Sequence, residues 1–292
     1  MRTASSLIGI NKNLSNYMSA IEQGQSGKRV SKPSDDPFSI NSILNYKKEL
    51  EFNEQYKKNA DEIEGYLNVA DSSLQNLSGL FQRVQELIIQ GSNEPLDSSA
   101  MNSIADEISQ IKEQVGSIAN TKYGNKYIFG GISINTAPYN AAVGDWQLAP
   151  DAMKDILVEV EPNNSIAINT NGDEIFNGGG VSRNLFNLLD DIENDLRTGN
   201  GVQLRTRLDE VSDATEQILS SLSAVGAKGS RLQAIVSKLD DSEIMLTDII
   251  SKKEDIDINE AVINLTSSKN AYEASLSMSN LFMSVNILNY LK

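Results

Sequence analysis

The sequence predicts a mainly α-helical protein: a long heptad-patterned antiparallel helical bundle with paired N- and C-terminal helices and a small β-rich insertion domain. Apolar residues recur at alternating spacings of four and three on both sides of the middle of the chain, and each end carries one further amphipathic segment. Between residues 123 and 181, Gly, Asn and Pro instead divide short apolar runs. A chain with this order must leave the bundle, build the insertion and return, so both termini should lie at one end.

The first half is organised around one long helix, predicted from Ser39 to Gln90. Its apolar positions form an uninterrupted heptad seam, and mostly polar residues lie between them, so the seam needs partner helices. The GSNEP stretch at residues 91–95 should end it, since its Gly suits the position past a helix end. A second helix, capped near Asp97 or Ser98, repeats the spacing and should pack antiparallel to the first. The two seams consist of Ile63, Leu67, Ala70, Leu74, Leu77, Phe81, Val84 and Ile88, and of Ile104, Ile108, Ile111, Val115 and Ile118.

The insertion contains a predicted β-hairpin. An apolar run at residues 166–168 precedes an Asn171-Gly172 pair, and a second apolar run at 174–176 follows it. An Asn-Gly pair between two such runs is a strong hairpin signal.

The second half is predicted as three helices. The first begins near Leu185 and ends at Gly199-Asn200-Gly201. The second continues to the VGAKGSR stretch of residues 225–231, which predicts a turn. The third then runs from Leu232 to Ile249.

The two ends carry helices joined to the bundle through breaks. Residues 1–26 fit an amphipathic helix, and the Gly-, Ser- and Pro-rich break of residues 26–37 follows. In that break Ser34 or Asp36 can cap the next helix, Pro37 suits its first turn, and Asp35 and Asp36 suit the positive end of its dipole.

The last helix should open at Asp257, which begins an Asp-x-x-Glu capping box. The resulting division of the chain is an N-terminal assembly segment (1–38), rod helices (39–122), an outer β-rich insertion (123–181), further rod helices (182–252) and a C-terminal assembly segment (253–292).

Composition argues against most enzyme classes and against nucleic-acid binding. The chain has no Cys and no His, which removes thiolate chemistry, the commonest general base and the commonest transition-metal ligand. Its formal charge of −15 opposes binding to nucleic acid, although residues 1–32 are basic. No apolar run is long enough for a membrane span, and the first residues are too polar for a secretory signal.

The terminal helices are predicted to make contacts between molecules. Two amphipathic helices joined through breaks bury too little apolar surface to offset their ordering entropy unless neighbours add to it. They should therefore order on assembly, where burial accumulates over many copies. The predicted assembly residues are Leu14, Tyr17, Met18 and Ile21 in the first helix, Gly27, Lys28, Arg29, Val30, Pro33, Ser34, Asp35, Asp36 and Pro37 in the break, and Ile258, Val262, Leu265, Tyr272, Leu276, Leu281, Met283, Ile287, Leu288 and Leu291 in the last helix.

Other residue clusters could in principle form metal, phosphate or catalytic sites, but the sequence does not favour any of them. Asp35-Asp36 and Glu254, Asp255 and Asp257 suit capping better than metal binding, since calcium-loop spacing is absent. The GAKGS run at 226–230 lacks the phosphate-loop pattern. Paired carboxylates in the insertion are the only enzyme candidates, and nothing indicates that they converge: Asp145, Asp151, Asp155 and Asp173. We therefore expect no enzyme activity, cofactor or metal.

Several motifs resemble the bacterial flagellin superfamily, in the family's order and over essentially the whole chain. They are GKRV at 27–30 with PSDDP at 33–37, GNKYIFGG at 124–131 with TAPY at 136–139, GDEIF at 172–176, NLFNLLD at 184–190 and the C-terminal DIDINEAVINLTSSKNAYEASL. The combination of YIFGG and GDEIF with the first motif resembles the branch that joins hook to filament more than filament flagellin.

The resemblance implies a structural subunit that forms a ring with copies of itself and transmits torque as a mechanical adaptor. Its implied partners are a hook-side junction protein (hook-associated protein 1), flagellin and a flagellar export chaperone. It also implies delivery through the flagellar type III export channel and an extracellular location in the flagellum. The alternatives that stay open are a minor filament flagellin, an adhesin acting through the insertion around residues 127–176 and an enzyme using the paired carboxylates.

Overall fold

The computed structural model describes residues 2–93, 97–148, 152, 154–178 and 183–290, and for residues 2–5, 93 and 282–290 only the helical backbone. These residues form seven helices and three antiparallel strand pairs. The helices are α1 (Arg2–Ser26), α2 (Pro37–Asn93), α3 (Ser98–Ala119), α4 (Gly172–Phe176), α5 (Leu185–Arg197), α6 (Gly201–Glu254) and α7 (Ile258–Tyr290). The strands are β1 (Lys122–Tyr123), β2 (Lys126–Tyr127), β3 (Tyr139–Asn140), β4 (Asp145–Trp146), β5 (Leu157–Glu161) and β6 (Asn164–Ala167).

The chain divides into two compact units. The terminal unit comprises Met1–Asn53 with Asp240–Lys292, and the central unit comprises Glu54–Leu239. Helices α2 and α6 each contribute residues to both units. The terminal unit therefore contains the two predicted assembly segments and, in addition, the start of α2 and the end of α6.

The central unit is built on the predicted seams. All eight seam residues of α2 are buried, and so are the first four of α3, with Ile118 partly buried against the same core. Arg83 of α2 pairs with Glu107 of α3 at 2.7 Å. Helix α5 covers the other side of α3, where Lys112 pairs with Asp190 at 2.6 Å. The predicted heptad packing of this half is confirmed.

An aromatic cluster forms the core of the insertion and unites the sequence motifs found there. Phe176 lies edge-on to Phe129 with ring centroids 5.2 Å apart and stacks on Trp146 at 5.6 Å. Phe186, from the first turn of α5, stacks on Tyr139 at 4.5 Å and faces Phe176 at 6.3 Å. Residues from four separate motifs thus share one core, which explains why these stretches are apolar although none is a long strand.

The hairpin predicted around Asn171-Gly172 is wrong. Asn171 instead caps the short helix α4, because its side chain accepts a hydrogen bond from the N–H of Asp173. Gly172 packs so closely that an added Cβ would lie 2.3 Å from the carbonyl oxygen of Phe129. The observed hairpin joins β5 to β6, and its turn contains Asn163 at φ +61°. Packing against Phe129, rather than turn geometry, requires the glycine.

The turn predicted at residues 225–231 is also wrong, since α6 is continuous from Gly201 to Glu254. Buried residues recur every seven positions through this stretch: Ile218, Val225, Leu232, Leu239 and Leu246. The helical seam therefore persists across Gly226 and Gly229, and packing outweighs the weak helix propensity of the two glycines. Lys228 also connects this turn of α6 to the insertion, because its ammonium donates a hydrogen bond to the carbonyl oxygen of Asn169 at 3.0 Å.

Helix ends elsewhere lie within a few residues of the predicted positions. Helix α2 begins at Pro37 and passes through Gly91, where it was predicted to end, to Asn93. Gly91 packs closely on α5, because an added Cβ would lie 2.7 Å from a methyl group of Leu196. Asp97 caps α3 as predicted, with its carboxylate accepting from the N–H of Ala100 at 2.8 Å.

Candidate assembly site

The break between α1 and α2 is held against the junction of α6 and α7. Gly27, at φ +67°, ends α1, and its carbonyl oxygen accepts from the N–H of Ile256 at 3.0 Å. The N–H groups of Arg29 and Val30 donate to the carbonyl oxygen of Glu254 at 2.7 and 3.3 Å. We call this arrangement of residues 27–36 with residues 254–257 the clasp.

The side chain of Glu254 is the charged centre of the clasp. It is 8% exposed and accepts from the ammonium groups of Lys28 at 2.5 Å and of Lys47 at 2.6 Å. Burial alone would raise the pKa of Glu254, but the hydrogen bonds from Lys28 and Lys47 outweigh it, and the pKa lies below its usual range. The carboxylate therefore stays ionised and ties α2, the break and α6 together.

The rest of the break sets the start of α2. Asp36 accepts from the N–H groups of Phe38 and Ser39, both at 3.1 Å, which makes Asp36 the cap and leaves Pro37 in the first turn as predicted. Hydrogen bonds from Ser39 lower the pKa of Asp36.

Asp35 has a different role from the predicted one. It accepts from the N–H groups of Ser31 at 3.1 Å and Lys32 at 2.9 Å, so it closes the turn of the break and does not serve the dipole of α2. Pro33 and Ser34 are exposed in this turn, and Ser34 does not cap the helix. Val30 is buried beneath it.

Beyond the clasp, α1 and α7 pair along their length in antiparallel directions. Tyr17 and Tyr272 stack with ring centroids 6.1 Å apart, and the side chain of Asn13 donates to the carbonyl oxygen of Ala271 at 3.4 Å. Ala20 and Ala261 are buried in the contact. Of the predicted assembly residues, Tyr17, Ile21, Leu265 and Tyr272 are half-buried.

The pair leaves a large apolar surface exposed. Helix α7 carries only three charged residues among its 33, and its apolar residues are spread around the helix between Ser, Thr and Asn instead of gathering on one face. Helix α1 can cover only one of these faces. A helix with few charges and with apolar residues on several faces is typical of a position that has neighbours on more than one side. We call nine of the exposed apolar residues of the pair the apolar surface: Leu7, Ile8, Leu14, Met18, Ile258, Val262, Ile263, Leu276 and Met278.

The apolar surface contains five predicted residues and four that sequence reasoning missed. Leu14, Met18, Ile258, Val262 and Leu276 are predicted members, and the predicted Leu281 is also exposed. The missed residues are Leu7, Ile8, Ile263 and Met278. A single heptad stripe predicts one apolar face for each terminal helix, whereas the scarcity of charged residues on both helices indicates the other faces. The side chains of Met283, Ile287 and Leu288, and all of Leu291, lie outside the described residues.

The other candidate clusters have structural roles or stay apart. Asp145 accepts from the side chain of Asn184 at 2.9 Å, and Asp173 accepts from that of Asn177 at 2.9 Å. Asp155 lines a separate polar cavity of about 550 Å³, and Asp151 lies outside the described residues. Within the described part of the chain, no group of three or more acidic residues could hold a metal ion. Among its helices, none has the length and apolar character needed to cross a bilayer.

Comparison with known proteins connects this site to a family. The model of the bacterial flagellin N-terminal helical region matches residues 1–134, and that of the flagellin C-terminal helical region matches residues 208–291. Together the two matches take in most of the chain, and each contains one half of the clasp. The chain belongs to the bacterial flagellin superfamily.

Individual members of the superfamily match along most of their length. Flagellar hook-associated protein 3 of Escherichia coli is 26% identical over 91% of this chain and 90% of its own. Flagellin of Bacillus subtilis is 26% identical over 88% of this chain and 86% of its own. The relationship therefore includes the central unit, although residues 135–207 fall outside both family models.

Solved structures share the fold. FlgL of Bacillus cereus has a TM-score of 0.61 at 21% identity, over 71% of this chain and 99% of its own. Flagellar hook-associated protein-3 of Legionella pneumophila has a TM-score of 0.64 at 15% identity, over 72% of this chain and 98% of its own. The chain therefore shares the fold of these proteins over most of their length.

Proposed function

We propose that this superfamily member is a structural subunit of the bacterial flagellum at the junction between hook and filament. The observation that carries the proposal is the apolar surface on the paired terminal helices, which other subunits would bury. The relatives named flagellar hook-associated protein 3 support the position at the junction. In this role the chain forms a ring with its own copies, contacts a hook-side junction protein and flagellin, and transmits torque through its helices.

The proposed location follows from the same role. The subunit reaches the outside of the cell through the flagellar type III export channel with the help of an export chaperone. It has no catalytic task.

Position along the flagellum tests the role. We expect a tagged chain on isolated flagella to give a single spot between hook and filament. Staining along the whole filament would overturn the junction role and favour the second candidate, a minor filament flagellin, which the Bacillus subtilis flagellin match supports. Purified chain that polymerises alone into long filaments would point the same way.

The apolar surface can be tested separately. Serine at Met18, Val262 and Ile263 removes three side chains that are each more than half exposed in the single subunit. Full burial of such side chains stabilises by about 1.5 to 3 kcal/mol each. Because only the roughly 60% of each side chain that is still exposed can be buried on assembly, the three substitutions together should cost assembly about 3 to 5 kcal/mol per copy. Stability of the isolated subunit should hardly change.

A matched control is Val202→Ser, which removes an exposed apolar side chain from the central unit. We expect Val202→Ser to be incorporated normally and the triple variant to stay soluble and unincorporated. Normal incorporation of the triple variant would contradict assembly through this surface. Deletion of residues 257–292 should likewise abolish incorporation while Trp146 in the central unit keeps its folded fluorescence.

A further inference from the structure

Two contacts between α1 and α7 favour the observed alignment, namely the stack of Tyr17 on Tyr272 and the hydrogen bond from Asn13 to Ala271. Other residues buried or half-buried there include Ala20, Ala261, Ser268 and Ser275, whose short side chains add little that is specific to one register. Because the apolar residues of α7 are spread over several faces, their pattern does not single out one face or one register for α1. Apolar patterning alone therefore specifies the alignment weakly, as in coiled coils whose register depends on a polar position.

The clasp lies at the root of this pair, where α1 ends and α7 begins. The antiparallel bridge between Lys28 and Asp255 places the last turn of α1 beside the first turn of α7. Arg29 adds a hydrogen bond from its guanidinium to the carbonyl oxygen of Lys253 at 2.9 Å. A shift by one heptad would break these contacts together and would separate the buried carboxylate of Glu254 from Lys28.

We propose that Glu254 is the positioning residue that sets the register of α1 against α7, and thereby selects which apolar side chains the pair presents. A buried charge without its partners is costly, whereas an apolar side chain tolerates many neighbours, so one buried ionic group can discriminate between registers. Only the consequence for assembly rests on the proposed function; the register itself is a property of the single subunit.

The absence of cysteine allows the register to be read by disulfide trapping. The pair Asn13→Cys with Ala271→Cys reports the observed register, because the side chain of Asn13 contacts the backbone of Ala271. The pair Asn13→Cys with Met278→Cys reports a shift of one heptad. Each pair is oxidised in dilute subunit, and the ratio of the two cross-linking rates measures register preference.

The ratio is compared in the natural background, in Glu254→Gln and in Asp248→Asn. Asp248 forms an exposed ion pair with Lys252 on the same helix, so its substitution removes equal charge without touching the clasp. The natural chain and Asp248→Asn should strongly favour the observed register. Loss of the charge-assisted hydrogen bonds in Glu254→Gln should lower the ratio about tenfold.

Glu254→Ala, which also removes the acceptor oxygens, should lower the ratio further, and helicity measured by circular dichroism verifies folding of each variant. An unchanged ratio in both variants would overturn the proposal. Equal loss of both cross-links would overturn it too, since the carboxylate would then be needed for pairing and not for register. Because the cross-linking uses free subunits, neither result bears on whether the chain assembles at the junction between hook and filament.

Discussion

Removing the ring of Phe176 tests whether the aromatic cluster holds the insertion together. The side chain is fully buried and contacts the rings of Phe129, Trp146 and Phe186. Phe→Ala at such a site costs about 3 to 5 kcal/mol, because transfer free energy is lost and a cavity remains. For a unit of this size, each kcal/mol lowers the midpoint of thermal unfolding by about 2 to 4 °C. We therefore expect Phe176→Ala to lower the midpoint by roughly 6 to 20 °C.

The assay uses Trp146, the only tryptophan of the chain, which stacks on Phe176 and reports unfolding of this cluster by fluorescence. Phe38→Ala is the control, because Phe38 is 89% exposed and its loss should change the unfolding free energy by less than about 0.5 kcal/mol. A midpoint for Phe176→Ala within 2 °C or so of the natural chain would refute the packing argument.

Three further predictions concern glycine packing, capping and pH. Gly172→Ala should destabilise the central unit by about 1 to 3 kcal/mol, because the new Cβ meets the carbonyl oxygen of Phe129. Gly79→Ala meets no atom and should stabilise α2, because Ala has the higher helix propensity. Chemical denaturation measures the free energy of unfolding of both variants. Asp36→Ala should cost about 1 kcal/mol through loss of the cap, and Ser34→Ala should cost nothing measurable in the same assay. Because the folded-state pKa of Glu254 lies below the unfolded one, its contribution is present at neutral pH and is lost as pH falls from the usual Glu range through the lower folded-state pKa. The stability difference between the natural chain and Glu254→Gln should shrink over that range, and a constant difference would contradict the ion-pair account.

Sequence alone predicted the features that arise from local pattern. The seam from Ile63 to Ile88 is buried as expected, because a strict heptad repeat admits one buried face. The caps at Asp36 and Asp97 were predictable because short polar side chains before a helix satisfy its free N–H groups.

Features that arise from tertiary contact were not predictable in the same way. Glycines at 226 and 229 indicated a turn, but the buried seam of α6 overrides their propensity. Asn171-Gly172 indicated a hairpin, but the close approach of Phe129 is what requires glycine there. The partners of Glu254 could not be found from sequence, since Lys28 and Lys47 lie more than two hundred residues away.

The most direct test of the account is thiol protection at the apolar surface. Met18→Cys, in a chain without other cysteines, places a thiol where the side chain is 60% exposed in the single subunit. Val143→Cys, on an exposed position of the insertion, is the control. The account predicts that a soluble maleimide labels both thiols in free subunits and that incorporation into flagella protects only the one at position 18. Equal labelling of position 18 in free and assembled subunits would show that no neighbour covers this surface.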